Sequence, residues 1–207
     1  MRSKVILSLV EQEVCGITAN RAEKETEYRY LIQQIANGDR NAFEKLYHHF
    51  VGPLAAYLKR RFHDEHLVYD MMQEIFVAIW KGASSYTGKA APSAWVFGIA
   101  RFKMMDMLRE KYKRSEQLAA SSEDTDEQVQ LPAELDFSEQ LSTSVAIRSV
   151  LEKLPTDTQE LVSLVFEYGF SYKEIGQIMD IPEGTVKSRW FHIKKLLKKE
   201  LADWGAE

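Results

Sequence analysis

SYKEIGQIMDIPEGTVKSRWFHIKKLLKKEL, residues 171 to 201, reads as two helices joined by a tight turn. Ser171 and Glu174 form an S-x-x-E pair, a capping box in which hydroxyl and carboxylate each satisfy an orphan amide at a helix start. The short helix it opens carries Ile175, Ile178 and Met179, and Asp180-Ile181-Pro182 ends it. Pro182 suits the first turn of a second helix, where a missing N–H costs nothing. On that second helix Val186, Trp190, Ile193, Leu197 and Leu201 recur at spacings of three and four and so share one side. Thr185, Lys187, Ser188, Arg189, His192, Lys195 and Lys199 are left largely to water.

A short capped helix, a turn and a longer basic helix make the helix-turn-helix pattern, whose second helix enters the DNA major groove near its N-terminus. The plainer alternative is a packed helical hairpin with a solvated lysine face.

The 207-residue chain is 45% hydrophobic and 28% charged, which suits a globular protein of one large or two small domains. A net charge of -4 looks wrong for a nucleic-acid binder, but it conceals segregation. Between Glu116 and Glu139 there are eight acidic residues and no Lys or Arg, while Arg101 to Arg114 and Lys187 to Lys199 are basic clusters. One cysteine, Cys15, excludes an internal disulfide and a Cys-rich zinc site, and a reducing cytoplasmic setting is expected. The apolar run Val5 to Val10 is too short for a signal peptide, and no stretch is long enough to span a bilayer.

Four segments follow from the pattern. Residues 1–27 are a weakly patterned leader with no assigned chemistry. Residues 28–114 form a helical domain: a short helix with Leu31, Ile32 and Ile35 stops at Asn37-Gly38, and Asp39 caps a longer one carrying Phe43 to Phe62, with a kink expected at Gly52-Pro53. A third helix, about Glu65 to Lys81, turns Met72, Ile75, Phe76 and Ile79 one way and Asp70, Gln73, Glu74 and Val77 the other. After a loop of small residues bearing Tyr86, Ser93 is expected to cap a helix running to about Arg114, with Trp95, Ile99, Met105 and Leu108 as core. Residues 115–140 read as a flexible acidic linker. In residues 141–207 helical spacing resumes at Ile147, and Thr156 with Gln159 makes a second capping box, opening a helix that Gly169 closes. No convincing strand signal is present, so the expected fold class is all-α: two small helical domains joined by a flexible acidic linker, the second with a helix-turn-helix.

The order of these parts resembles the extracytoplasmic-function sigma factors of bacterial RNA polymerase, in the sigma-70 family. DMMQEIFVAIW (Asp70 to Trp80) is similar to the family's D-x-x-Q-E-x-F-x-x-x-W helix, and AWVFGIARFKMMDMLR (Ala94 to Arg109) to its W-x-x-x-I-A-R-N-x-x-x-D-x-L-R helix. LEKLP (Leu151 to Pro155) resembles the start of its C-terminal domain, and IPEGTVKSR (Ile181 to Arg189) its recognition-helix signature. Where the family usually has Asn, this chain has Phe102, which either stacks on a base or fills core.

The resemblance implies a region 2 domain that binds the clamp of the polymerase largest subunit and opens the -10 promoter element, and a region 4 domain that reads the -35 element as duplex. It implies Asp70, Gln73 and Glu74 as the polymerase face, and Tyr86, Arg101, Lys103, Arg109 and Lys113 as the -10 contacts. Thr185, Lys187, Ser188, Arg189, His192 and Lys195 become the -35 contacts, with Arg189 first to read guanine. Partners implied are RNA polymerase core through clamp and flap, promoter DNA, and an anti-sigma factor. No cofactor, metal or small-molecule substrate is expected, and no enzymatic activity. A helix-turn-helix regulator that is not a polymerase subunit is the alternative. A metal enzyme would rest on His48-His49 and His63-Asp64-Glu65-His66, which lack an H-E-x-x-H spacing.

Overall fold

The computed structural model describes residues 21–119 and 154–203. The leader up to residue 20, with Cys15, the acidic stretch from residue 120 and the helical spacing around Ile147 to Leu151 lie outside the described residues. Every regular element among the described residues is helical: α1 (residues 21–36), α2 (Arg40–Lys59), α3 (Glu65–Gly82), a 3-10 turn (Ala83–Ser85), α4 (Pro92–Ala119), α5 (Thr156–Phe166), α6 (Tyr172–Met179) and α7 (Glu183–Asp203). None is long and apolar enough to cross a membrane. The described residues fall into two compact units, one of 31–86 with 96–119, the other of 21–30, 87–95 and 154–203.

In the first unit Asp39 caps α2 as expected, its carboxylate accepting from the amides of Asn41 (2.8 Å) and Ala42 (3.2 Å). Asp64 does the same for α3, accepting from His66 (3.0 Å) and Leu67 (3.3 Å). Each bond satisfies an amide that the helix itself leaves open. Pro53 lies inside α2 without ending it. Leu46, Leu54, Leu58, Ile75, Ile79, Val96, Ala100 and Met104 are sealed from water, and burial of each large side chain stabilises by about 1.5 to 3 kcal/mol. Aromatic edges lock α2 to α3: Phe43 meets Phe76 at 6.1 Å and Trp80 at 5.2 Å between ring centres, both near perpendicular.

Several expectations for α4 are corrected. The helix starts at Pro92 and runs to Ala119, past Arg114, so Ser93 lies within its first turn. The Ser93 amide donates to Glu25 Oε2 at 3.1 Å, so a carboxylate from α1 serves the positive end of α4. The core face is Ala94, Val96, Phe97, Ala100 and Met104; Trp95, Ile99, Met105 and Leu108 are only half-buried. Spacings of three and four fit both sets, and the packing of Phe97 on Tyr57 (5.5 Å) selects the first.

In the second unit α1 reaches back to Arg21, seven residues before the start expected at Tyr28. Arg21 is anchored by charge rather than by apolar spacing. Its guanidinium pairs with Glu25 (3.4 Å) and Glu174 (2.9 Å), donates to the Gly169 carbonyl and stacks over Phe170 at 4.5 Å. The expected Thr156–Gln159 capping box is absent. Pro155 precedes α5 with no side-chain cap, and Gln159 is buried, its amide donating to the Leu154 carbonyl at 2.7 Å.

Candidate polymerase and nucleic-acid interfaces

The helix-turn-helix is built as its sequence dictates. Ser171 Oγ accepts from the Glu174 amide at 3.3 Å, while Glu174 Oε2 accepts from the Ser171 amide at 2.8 Å and hydroxyl at 2.7 Å. That box starts α6, and Asp180, at φ 54° and ψ 47°, ends it in the left-handed region that Asn and Asp tolerate best. The Ile181 amide then bonds back to the Gly176 carbonyl at 3.0 Å. Only glycine fits there, because a Cβ at position 176 would stand 2.8 Å from the Ile181 carbonyl oxygen. The turn closes onto α7, whose first amide bonds run to the Pro182 carbonyl.

Val186, Trp190 and Ile193 of α7 are buried against α5 and α6, with Trp190 5.3 Å from Phe166 and 6.4 Å from Tyr172. At 100° per residue the direction opposite those three passes through Ser188, Phe191 and Lys195. All three are exposed, as are the flanking Lys187 and His192. Thr185 and Arg189 stand at the rim of that face, half-buried. Lys187 forms an ion pair with Glu183 at 2.6 Å. Sequence reading missed Phe191, 62% exposed in the middle of the face. Its neighbour Trp190 supplied the apolar period, and an extra aromatic gives no periodic signal of its own.

In the other unit, Asp70, Gln73 and Glu74 are exposed together on α3, opposite buried Ile75, Phe76 and Ile79. Beside them a groove of about 650 Å3 opens between α2 and α3, floored by Met72 and Phe76 and edged by Gln73 and Val77. Tyr47, Tyr69 and Val77 leave 39%, 67% and 50% of their surface in water along this side, giving it an apolar component that the charge pattern did not disclose. At its far end Lys59 Nζ hydrogen-bonds Glu65 at 3.0 Å and holds that carboxyl below its ordinary range.

Helix α4 places Arg109 and Lys113 in water and leaves Arg101 and Lys103 half-buried. Tyr86, after the 3-10 turn, is half-buried, its amide bonded to the Ala83 carbonyl at 3.2 Å. The groups expected at the polymerase face and at DNA meet at one point, where Lys103 Nζ stands 3.3 Å from Glu74 Oε2. Among the described residues no three His, Cys, Asp or Glu side chains stand together as metal ligands would.

A helix-turn-helix with an exposed basic and hydroxyl face, together with a separate helical unit carrying an acidic face and a basic helix, defines a transcription protein that reads duplex DNA and docks on another protein. Comparison with known proteins names the family. Residues 46–114 match sigma-70 region 2 and residues 144–197 match sigma-70 region 4. The chain is 29% identical over 180 residues to the ECF RNA polymerase sigma-E factor of Escherichia coli (strain K12), covering 83% of this chain and 92% of that one. It is 27% identical over 177 residues to the sigma-E factor of Haemophilus influenzae, covering 83% and 93%. Among solved structures, CnrH in complex with the cytosolic domain of CnrY shares the fold with a TM-score of 0.57 at 24% identity, over 86% of this chain and 98% of that one. The sigma factor RpoE in complex with the anti-sigma factor NepR from Bartonella quintana does so with a TM-score of 0.57 at 21% identity, over 77% and 96%.

The chain belongs to the extracytoplasmic-function group of the sigma-70 family. Its function is to direct RNA polymerase core to specific promoters.

Proposed function

We propose a division of that work between two domains, residues 28–114 and 141–207, joined by the acidic stretch 115–140. The observation that carries it is the exposed face of α7, where basic and hydroxyl side chains stand opposite buried Val186, Trp190 and Ile193. Such a face suits the major groove: Ser188, Phe191 and Lys195 at its centre, Lys187 and His192 beside them, Thr185 and Arg189 at the rim. Hydrogen bonds to base edges choose the -35 sequence, with Arg189 on guanine, while lysines toward the helix end hold phosphates.

In the first domain Asp70, Gln73 and Glu74 dock on the clamp of the polymerase largest subunit, with the neighbouring apolar groove adding buried area. Arg101, Lys103, Arg109 and Lys113 neutralise phosphates at the -10 element, and Tyr86 meets an unpaired base as the strands separate. Region 4 additionally contacts the polymerase flap. The acidic linker is drawn to basic surface on the polymerase. An anti-sigma factor holds the protein in check, a reading supported by the two solved relatives, each captured with an inhibitor or partner of its own. The protein works in the cytoplasm, as a non-catalytic subunit.

Transcription in vitro with core polymerase and a promoter library tests the reading. Addition of the full chain should start transcripts at a single class of -35 and -10 sequences. A chain that binds those duplexes but never associates with core polymerase would instead be a free-standing regulator.

A further inference from the structure

Arg21 joins three parts of the chain that are far apart in sequence. Its guanidinium pairs with Glu25 at 3.4 Å on its own helix and with Glu174 Oε1 at 2.9 Å at the start of α6. It also donates to the Gly169 carbonyl and to Ser93 Oγ at 3.3 Å, and lies over the Phe170 ring at 4.5 Å. Glu25 completes the cluster by accepting from the Ser93 amide at 3.1 Å and from the Ser93 hydroxyl. The side chains of Arg21, Glu25 and Glu174 are 17%, 16% and 18% exposed, so water screens these charges far less than it screens an ordinary surface pair. All of these groups belong to one compact unit. Yet Arg21 and Glu25 lie outside both matched regions, while Ser93 belongs to region 2 and Gly169, Phe170 and Glu174 belong to region 4. Glu174 serves its partners with separate oxygens. Its Oε2 closes the capping box and its Oε1 takes Arg21, so release of Arg21 leaves the box in place.

We propose that Arg21 is a latch that holds the free chain closed, with the helix-turn-helix clasped to the start of α4, and that the latch opens when the protein engages polymerase and promoter. This rests on the division of work between two promoter elements given above. Elements at -10 and -35 are about 25 base pairs apart, or about 85 Å along straight duplex. Ser93 lies in the first turn of the helix that bears the -10 cations, and the last of them, Lys113, is only about 30 Å further along it. The α7 face lies near the other end of the latch, since the Trp190 ring is 6.4 Å from that of Tyr172, two residues before Glu174. With Arg21 bound, the two DNA-reading helices therefore cannot reach both elements at once. Charged hydrogen bonds suit a reversible clasp, because on opening each group exchanges its partner for water at small net cost.

The test uses the full chain with Cys15→Ser and a pair of dyes on Lys24→Cys and Gln177→Cys, two exposed positions each about one turn from the latch. Energy transfer between the dyes should be high in the free chain. Arg21→Ala should lower it, and Glu25→Ala, which does not touch the capping box, should lower it in part. Both variants should keep wild-type helical content, because neither side chain belongs to the apolar core. Transfer in the wild type should fall when core polymerase and the promoter selected in the transcription assay are added. Because the closed chain must open first, Arg21→Ala should bind core polymerase about three- to tenfold more tightly than wild type. Equal transfer in free wild type and free Arg21→Ala overturns the proposal, as does transfer that stays high in the promoter complex. An Arg21→Ala chain that opens yet gains no affinity for core polymerase overturns it too. Scrambling each element in turn tests the underlying reading separately: if either can be scrambled without loss of transcription, the division of work falls, and the proposal with it.

Discussion

Lys103 Nζ lies 3.3 Å from Glu74 Oε2, joining the acidic side of α3 to the basic helix α4. Their side chains are 32% and 67% exposed, so solvent screens the pair and its contribution to stability is under about 1 kcal/mol. The acidic face can therefore be altered without unfolding the domain. Asp70→Lys with Glu74→Lys should weaken binding to core polymerase by about tenfold or more while shifting the urea midpoint little. Unchanged affinity in a fluorescence-polarisation titration with core enzyme would remove this face from the interface.

Phe76 behaves oppositely. It is 5% exposed, and its ring meets Phe43 at 6.1 Å and Tyr47 at 4.6 Å. Phe76→Ala should cost about 3 to 5 kcal/mol through the cavity left between α2 and α3. Urea denaturation followed by circular dichroism measures this, and a loss below about 1 kcal/mol would mean the site refills by collapse.

On α7 reading and holding should separate. Arg189→Ala is expected to cost about 1 to 3 kcal/mol on the preferred -35 duplex and to relax choice at one base pair. Lys199→Ala should weaken all sequences alike and lower the salt slope by about one unit. Exposed Phe191 should pack on a thymine methyl, so replacing that thymine by uracil should hurt wild type and not Phe191→Ala. Competition binding across single-base variants at several salt concentrations reads all three effects. A Lys199→Ala protein with altered sequence preference would place α7 in a different register.

The turn of the helix-turn-helix offers a purely structural test. Gly176→Ala drives a methyl against the Ile181 carbonyl oxygen 2.8 Å away and should cost about 1 to 3 kcal/mol. Ser171→Ala removes the box at the start of α6 and should cost about 1 kcal/mol. Thermal melting ranks the two, and -35 binding should fall with stability because α6 and α7 share one core. A Gly176→Ala protein as stable as wild type would show that Ile181 can shift.

Features under local chemical control were legible in the amino-acid order. The Asp39 cap, the Ser171–Glu174 box and the two-sided patterns of α3 and α7 each involve groups within a few residues of one another. The partners of both caps lie within three residues of each other, and the apolar spacing of α3 and α7 left one face to bury. The order of motifs then pointed to the family, which the matches to sigma-70 regions 2 and 4 bear out. Tertiary structure decided the rest. The phase of α4 was ambiguous to periodicity, since two overlapping stripes were apolar; packing of Phe97 on Tyr57 buried one and left Phe102 in water. Helix α1 is held at Arg21 by Glu174 and Gly169, far along the chain, which receive its guanidinium. Thr156 and Gln159 had the spacing of a cap, yet the buried position of Gln159 turned its amide to Leu154 instead. Local hydrogen bonds can be read from neighbours in sequence, but which of two possible faces is buried depends on what the rest of the chain packs against it.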